Sequence, residues 1–448
     1  MNIIDQYPHR TKEKILAACM HPTRLLLPTS LIEGWCGELG YSWRERVLGP
    51  VVTLLACVWK HMHPKVASAR DVEDGIAEWC EDPHACGRSG SDFCQARSRL
   101  PKAILERAIE HVGAVAARTC AQVFHGMPIW LVDGSCVRVP NTQKLDAHYG
   151  RSNGGSAWSK FPVARLLLLV CAGSGAVAQI VVGAYRDSEP AMFLRLLETL
   201  TAGGLLVADR AFGSFIQCWR VQMRGSHLLA RRREDRKAKK VQSLGYRDKL
   251  VELRRPQPKD SAFPEMLAEC PPKIYVRVIE RSMQRRGYRS WPLVLVTTLL
   301  DPAAYPADEL VALYLQRWDI ETVMRTLKTH YGMARLAGKT PDVIEKEICS
   351  TVLAYNCVVA LVCASGESPK VVSPTRAKHI VMRHAHFMSH APTWKLIPLF
   401  RAMLKLLARA LQLPQERDPQ PRAVLKSMSR YPTLKGSRQD WRVRYLAA

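Results

Sequence analysis

The chain has 448 residues, long enough for two or three domains with a substantial core. Its 65 Lys+Arg against 40 Asp+Glu give a formal net charge of +25 and a pI of about 9.7. That balance calls for a polyanionic partner, for which nucleic acid is the usual candidate, and no amphipathic anchor at either terminus favours a membrane surface instead. The longest apolar runs, such as Leu166–Ala172 and Val358–Ala364, fall far short of the roughly 20 residues a bilayer requires. No basic stretch followed by an apolar core opens the chain, so no signal peptide is expected. The fourteen cysteines are scattered, several inside apolar runs (Cys57, Cys171, Cys357, Cys363), as expected of reduced thiols in a cytoplasmic protein.

Residues 1–122 read as a helical, DNA-binding domain. Apolar residues recur at helical spacing over Thr11–Cys19, Ser42–His61 (broken at Gly49-Pro50), Val72–Cys80, Ser91–Leu100 and Lys102–Arg118. Ser91–Leu100 has the makings of a recognition helix, with Asp92 as cap and Gln95, Arg97 and Arg99 exposed. The plainer alternative is a helix with a solvated polar face. Cys80, His84, Cys86 and Cys94 have a spacing that zinc can in principle use, but the paired C-x2-C knuckles are missing.

From Met127 the period changes from helix to strand. Pro128–Val132 reads as a strand ending at Asp133, and Val137–Pro140 as a second strand paired with it. Phe161–Cys171 is an almost unbroken apolar run suited to the middle of a sheet, and Gly173–Gly175 turns it into Ala176–Tyr185. Ser188–Thr201 reads as a helix with Glu189 charging its first turn. Leu205–Ala208 is a short buried strand that delivers Asp209 at its end. A helix over Phe215–Met223 and a strand over His227–Ala230 follow. Three antiparallel strands, helix, strand, helix, strand is the order of an α/β, RNase H-like mixed-sheet domain, expected over 123–365. It brings the two aspartates together although 76 positions separate them.

Residues 231–290 read as a basic, β-rich insertion. Over 231–259 there are 12 basic against 4 acidic side chains, beginning with Arg231, Arg232, Arg233, Lys237, Lys239 and Lys240. This is either a phosphate-binding surface or a solvated basic loop. Strands are expected at Lys273–Ile279 and Trp291–Leu299. An uninterrupted helix then runs from about Asp308 to Tyr331, bounded by Pro306 and Gly332. Tyr314, Arg317, Glu321 and Lys328 fall on one stripe of it, and Asp319 faces away. Taken alone, that stripe is equally an ordinary charged helix face with i,i+4 pairs. Pro341–Ala364 is a strongly apolar helix. A helical C-terminal region spans 366–448, a possible dimerisation element, with a Leu-rich helix over Pro392–Leu413 and a basic tail.

Asp133, Asp209 and Glu321 form a D…D…E set. Gathered carboxylates repel, and hard divalent cations such as Mg²⁺ or Mn²⁺ remove that cost. Two such ions about 4 Å apart can activate a hydroxyl and stabilise the leaving oxygen of an in-line phosphoryl displacement. Arg317 and Lys328 would hold phosphates, Tyr314 could donate to one, and Trp318 would either stack on an unpaired base or pack in the core.

Tyr314-x2-Arg317-x3-Glu321-x6-Lys328, written YLQRWDIETVMRTLK, resembles the Y-R-E-K signature of IS4-type transposases, DDE enzymes of bacterial insertion sequences. Asp133 in LVDGSCVRVPNT resembles the family's first-acid motif and Asp209 in LLVADRAFGSF its second. Ser135 and Asn141 stand where Thr and Asp are common. The resemblance covers about residues 125–365. It implies cut-and-paste transposition: binding of terminal inverted repeats, pairing of the ends by a homodimer, nicking, and joining of 3′-hydroxyls to target DNA in a bacterial cytoplasm, at the nucleoid. A metal-dependent nuclease of the same fold, a catalytically silent DNA-binding derivative and a repressor are the rival readings.

Overall fold

The computed structural model describes residues 21–412, except 45, 64–65, 81, 83, 88, 153–160, 199, 201, 233–237, 262 and 285–290, together with residue 443. The helix expected over Thr11–Cys19 lies outside the described residues, as do Arg233, Lys237 and nearly all of the basic tail. The chain packs as two compact units, Met1–Ala410 and Leu411–Ala448.

The first unit opens with α1 (His21–Leu26), α2 (Thr29–Glu38), α3 (Pro50–Met62), α4 (Ala69–Cys80), α5 (Ser91–Arg99) and α6 (Lys102–Thr119). Gly49-Pro50 starts α3 rather than interrupting a longer helix. A proline at the first helical position loses no hydrogen bond there, so residues 41–44 and 46–49 lie outside any helix. Asp92 does not cap α5. Buried Glu73 of α4 accepts from the backbone N–H of Gly90 (2.6 Å) and Phe93 (2.9 Å), while Asp92 turns back to Gly87. Of the possible zinc ligands, Cys86 is buried, whereas His84 and Cys94 are exposed.

Ten strands follow in one sheet: β1 (Val123–Phe124), β2 (Met127–Arg138), β3 (Val163–Cys171), β4 (Val177–Ala184), β5 (Leu205–Ala208), β6 (His227–Arg231), β7 (Lys239–Gly245), β8 (Asp248–Arg254), β9 (Lys273–Met283) and β10 (Trp291–Thr297). Their order is β4-β3-β2-β5-β6-β10-β9-β8-β7, with β1 on β2. The antiparallel β4-β3-β2 meander joined to parallel β5 and β6 is the RNase H-like core. The two strands expected around Asp133 are one. Asp133, Gly134 and Ser135 stay paired with Leu168, Leu167 and Leu166, so Asp133 sits inside a strand rather than at its end. Gly134 makes room instead of a turn, because a Cβ there would meet Oε1 of Glu189 at 2.6 Å. The insertion does not leave the sheet: β10 joins the far side of β6, and β9, β8 and β7 extend it. Edge strand β7 is almost wholly exposed and carries Lys239 and Lys240, charges that discourage edge-to-edge pairing. Buried Arg277 of β9 ties the insertion to the core, pairing with Asp248 (2.6 Å) and donating to the carbonyl of Tyr305 (2.6 Å).

The helices among and after the strands are α7 (Gln143–Tyr149), α8 (Glu189–Leu197), α9 (Phe215–Met223), α10 (Ala307–Leu315), α11 (Asp319–His330), α12 (Pro341–Ala364), α13 (Pro374–Ser389) and α14 (Thr393–Ala408). Strand alternation splits the core. Val132, Leu206 and Ala208 pack with α8 and α9 on one face. Leu131, Leu205 and Val207 pack on the other with α6, α10, α11 and α12. Helix α12 is long and apolar enough to cross a membrane, but its most apolar window is 94% buried inside the protein by its neighbours.

One buried charge cluster stitches the N-terminal helices to this core. Glu347 of α12 is 1% exposed. It accepts from Lys60 Nζ (2.9 Å), Arg97 Nη1 (2.9 Å), and the backbone N–H of Ala337 and Gly338 (both 2.9 Å). Arg97, expected on an exposed recognition face, is therefore an interior ion-pair partner. Against the cost of burial, Lys60 and Arg97 hold the Glu347 carboxyl well below the usual range. Beside it His61 donates from Nδ1 to the Tyr331 carbonyl at 3.0 Å, and burial followed by the Lys60 charge pulls its imidazole down to about 3.

Removing one partner of such a cluster strands the others. Glu347→Ala should cost about 3–5 kcal/mol in urea unfolding. A loss below ~1 kcal/mol contradicts this role. His61 and Glu347 both bind fewer protons folded than unfolded, so acid destabilises. The His61 contribution is full above pH 6.5 and declines as pH falls toward about 3. A His61→Gln variant should show a flatter fall in urea midpoint from pH 6.5 downward than the parent does, and matching slopes refute this.

Candidate active site

The parallel register of β2 and β5 builds the acid cluster. Val132 pairs with Ala208, so the next position on each strand places Asp133 beside Asp209. Both follow by two residues side chains of one face, Leu131 and Val207, and therefore point to the side that carries α10 and α11.

The stretch that supplies the third acid is not one uninterrupted helix. A 3₁₀ turn, Gln316–Trp318, separates α10 from α11. Such a mid-helix tightening is typical of functional or strained sequences. It buries Arg317 and leaves Trp318 60% exposed, so Trp318 has no core-packing role. The Arg317 guanidinium lies 6.0 Å from its ring centroid. Asp319 faces away and pairs with Lys370 at 2.8 Å.

Three side chains of this stretch meet the sheet or the residue after β5, and Arg317 also reaches the fourth, Glu321. Arg317 Nη1 is 3.2 Å from Asp133 Oδ2, and Nη2 is 3.5 Å from Glu321 Oε1. Its Nε is buried without an acceptor. The Tyr314 hydroxyl stands 3.5 Å from Asp209 Oδ1, a long contact. Lys328 Nζ donates to Ser135 Oγ at 2.6 Å. Burial pushes the Asp133 carboxyl up; Arg317 and the Gly134 N–H oppose this, and Asp209 and Glu321 add to it. Burial also lowers Lys328 and raises the Tyr314 phenol. All three acids thus lie in one electrostatic neighbourhood around one guanidinium.

Residues that sequence reasoning passed over flank this group. Ser135 is the seat of Lys328. Glu189, read only as a charged helix start, packs against Gly134 and lies 3.7 Å from Arg165 of β3. The glycine after Asp133 was the available signal for a close neighbour. Of the basic run, Arg231 lies within electrostatic reach of Tyr314, while Lys239 and Lys240 are on the exposed edge strand.

Among the described residues, no three His, Cys, Asp or Glu side chains stand close enough to enclose one ion. Arg317 stands between the carboxylates, in the place of a counter-cation. The donor chemistry still fits hard divalent ions: three carboxylates, one of them half-buried, lie around a single guanidinium.

An acid trio on an RNase H-like sheet, with a cationic helix across it, is the arrangement of enzymes that move phosphoryl groups between nucleic-acid hydroxyls. The family described as "Transposase DDE domain" matches residues 124–357. The chain belongs to that family and is an IS4-type DDE transposase, an enzyme acting on DNA. It is 24% identical over 362 residues to "Transposase InsG for insertion sequence element IS4" of Escherichia coli (strain K12), covering 77% of this chain and 78% of that protein. It is 28% identical over 127 residues to "Putative transposase InsZ" of the same organism, covering 28% of this chain and 42% of that protein. Among solved structures, a piggyBac transposase synaptic complex with hairpin DNA aligns over 89% of this chain and 86% of its own, with 11% identity and a TM-score of 0.41.

If Arg317 is the counter-cation of the acid cluster, Arg317→Met should lower stability in chelator by about 1–3 kcal/mol, the cost of leaving a buried acceptor unpaired. Millimolar Mg²⁺ should then raise the melting temperature of the variant more than that of the parent. Equal Mg²⁺ responses contradict this.

Proposed function

We propose that Asp133, Asp209 and Glu321 are the catalytic carboxylates and that they hold two divalent cations, Mg²⁺ or Mn²⁺. The observation that carries this reading is the β2–β5 register, which sets two aspartates side by side beneath the one helix that brings a glutamate and an arginine. When bound, the cations supply Lewis acidity and activate a hydroxyl for in-line displacement at phosphorus.

The chain's own residues prepare the substrate. Arg317 faces Asp133 and Glu321, and its guanidinium would take a backbone phosphate beside the cut if those acids held the cations instead. Lys328, seated on Ser135, and the Tyr314 hydroxyl hold neighbouring phosphate oxygens. Trp318, exposed beside Arg317, offers a face for an unpaired base. Arg231 extends the cationic edge next to Tyr314, and Arg232, Arg233, Lys237, Lys239 and Lys240 would contact DNA as well.

The substrate is double-stranded DNA: the terminal inverted repeats of an insertion sequence and then a target duplex, in a bacterial cytoplasm. The helices of 1–122 bind the ends, and 366–448 contributes to a homodimer that pairs them. Cleavage frees 3′-hydroxyls, and each attacks a target phosphodiester, one P–O bond forming as another breaks.

A labelled duplex ending in the terminal repeat, incubated with protein, Mg²⁺ and a circular plasmid, should become joined through its 3′-end. Asp133→Asn, Asp209→Asn and Glu321→Gln should each abolish cleavage and joining while binding the repeat as the parent does. Hydrolytic products without joining would assign a nuclease instead. Parent-like cleavage by any one variant removes that residue from the site.

A further inference from the structure

The loop before α3 and the C-terminal half of α5 enclose an open cleft of about 440 Å³, remote in sequence from the acid cluster. Arg44, Arg46 and Arg99 line it, with Tyr41, Trp43 and Thr53. The three arginines are exposed. No described carboxylate lines the cleft, and none of the three makes an ion pair among the described residues. Their neighbour Arg97 shows the contrast, since its Nη1 pairs with buried Glu347 at 2.9 Å.

The aromatic wall is polar at its tips. Tyr41 and Trp43 stack with ring centroids 6.3 Å apart at 23° and pack half-buried against the core. Neither the Tyr41 hydroxyl nor the Trp43 indole N–H has a partner among the described residues, and Arg99 lies within electrostatic reach of Tyr41. Helix α3 begins at the same cleft without a side-chain cap, adding its positive end. Among the described residues the lining charges are therefore all positive, and the hydrogen-bonding tips are mostly donors. On a chain with a net charge of +25, a polyanion is the complementary occupant.

We propose that this cleft grips the phosphodiester backbone of duplex DNA, with Arg44, Arg46 and Arg99 on phosphate oxygens and the Tyr41 and Trp43 tips donating further hydrogen bonds. The proposal rests on the transposase reading above and names a contact of that enzyme outside its acid cluster. Backbone contacts position a protein without reading sequence. The cleft therefore holds any duplex alike, and end recognition belongs to other groups.

The test is fluorescence anisotropy of the full chain over a salt series in chelator, with a repeat-bearing duplex, a scrambled duplex of equal length and an RNA duplex. The combined variant Arg44→Ala, Arg46→Ala, Arg99→Ala should weaken both DNA duplexes by the same factor. Its slope of log affinity against log salt should fall by about 2.7, roughly 0.9 for each phosphate no longer neutralised. Lysine at the three positions should restore the slope, and circular dichroism should show both variants folded. An unchanged slope in the folded alanine variant overturns the proposal, as does a weakening confined to the repeat-bearing duplex. Tighter binding of RNA with the same three-arginine dependence overturns the assignment to DNA. Failure of the parent to bind any duplex overturns the transposase reading itself.

Discussion

The contact on which the site depends is the Arg317 guanidinium held between Asp133 of β2 and Glu321 of α11. Without a cation there, two neighbouring aspartates and a glutamate would repel one another in a half-buried setting where charge is poorly screened. The arginine offsets that repulsion where the sheet and the helix meet. The 3₁₀ turn just before Asp319 is what brings Arg317 inward and leaves Trp318 outward.

A second charged cluster fixes the frame around the first. Glu347 draws Lys60 of α3 and Arg97 of α5 onto α12, and also caps the chain at Ala337 and Gly338, just beyond α11. The N-terminal helices are therefore not loosely appended to the catalytic sheet. Through α12 and the 337–338 turn, they share one anchor with the segment that ends the Y-R-E-K helix. A buried cluster of this kind is weak support for stability as such, but it strongly disfavours alternative packings that leave any member unpaired.

What could be read from the sequence was whatever local periodicity and short-range motif encode. The strand ending in Ala208, the Asp209 after it, the β-rich character of 231–290 and the spacing of Tyr314, Arg317, Glu321 and Lys328 all belong to that class. Where local signals pointed one way and distant partners another, the distant partners prevailed. Gly134 reads as a turn, yet β3 pairs straight through it and Glu189 fills the space it leaves. Arg97 lies on a polar helix face by spacing alone, but a glutamate 250 positions away draws it inside. Asp92 is a good cap by type, yet Glu73 arrives first. The 3₁₀ break in the long helix carries no proline or glycine to announce it. Convergence of the acids was inferable from topology; the guanidinium between them was not, because it depends on a contact across 184 positions.

The central claim is that one site, built from Asp133, Asp209 and Glu321, binds the catalytic cations. Anomalous diffraction from crystals grown with Mn²⁺ tests it most directly. The account predicts manganese peaks in contact with carboxylate oxygens of all three residues, with the Arg317 guanidinium displaced from Asp133. Crystals saturated with Mn²⁺ that show no peak at these carboxylates, or that bind manganese only elsewhere, would contradict it.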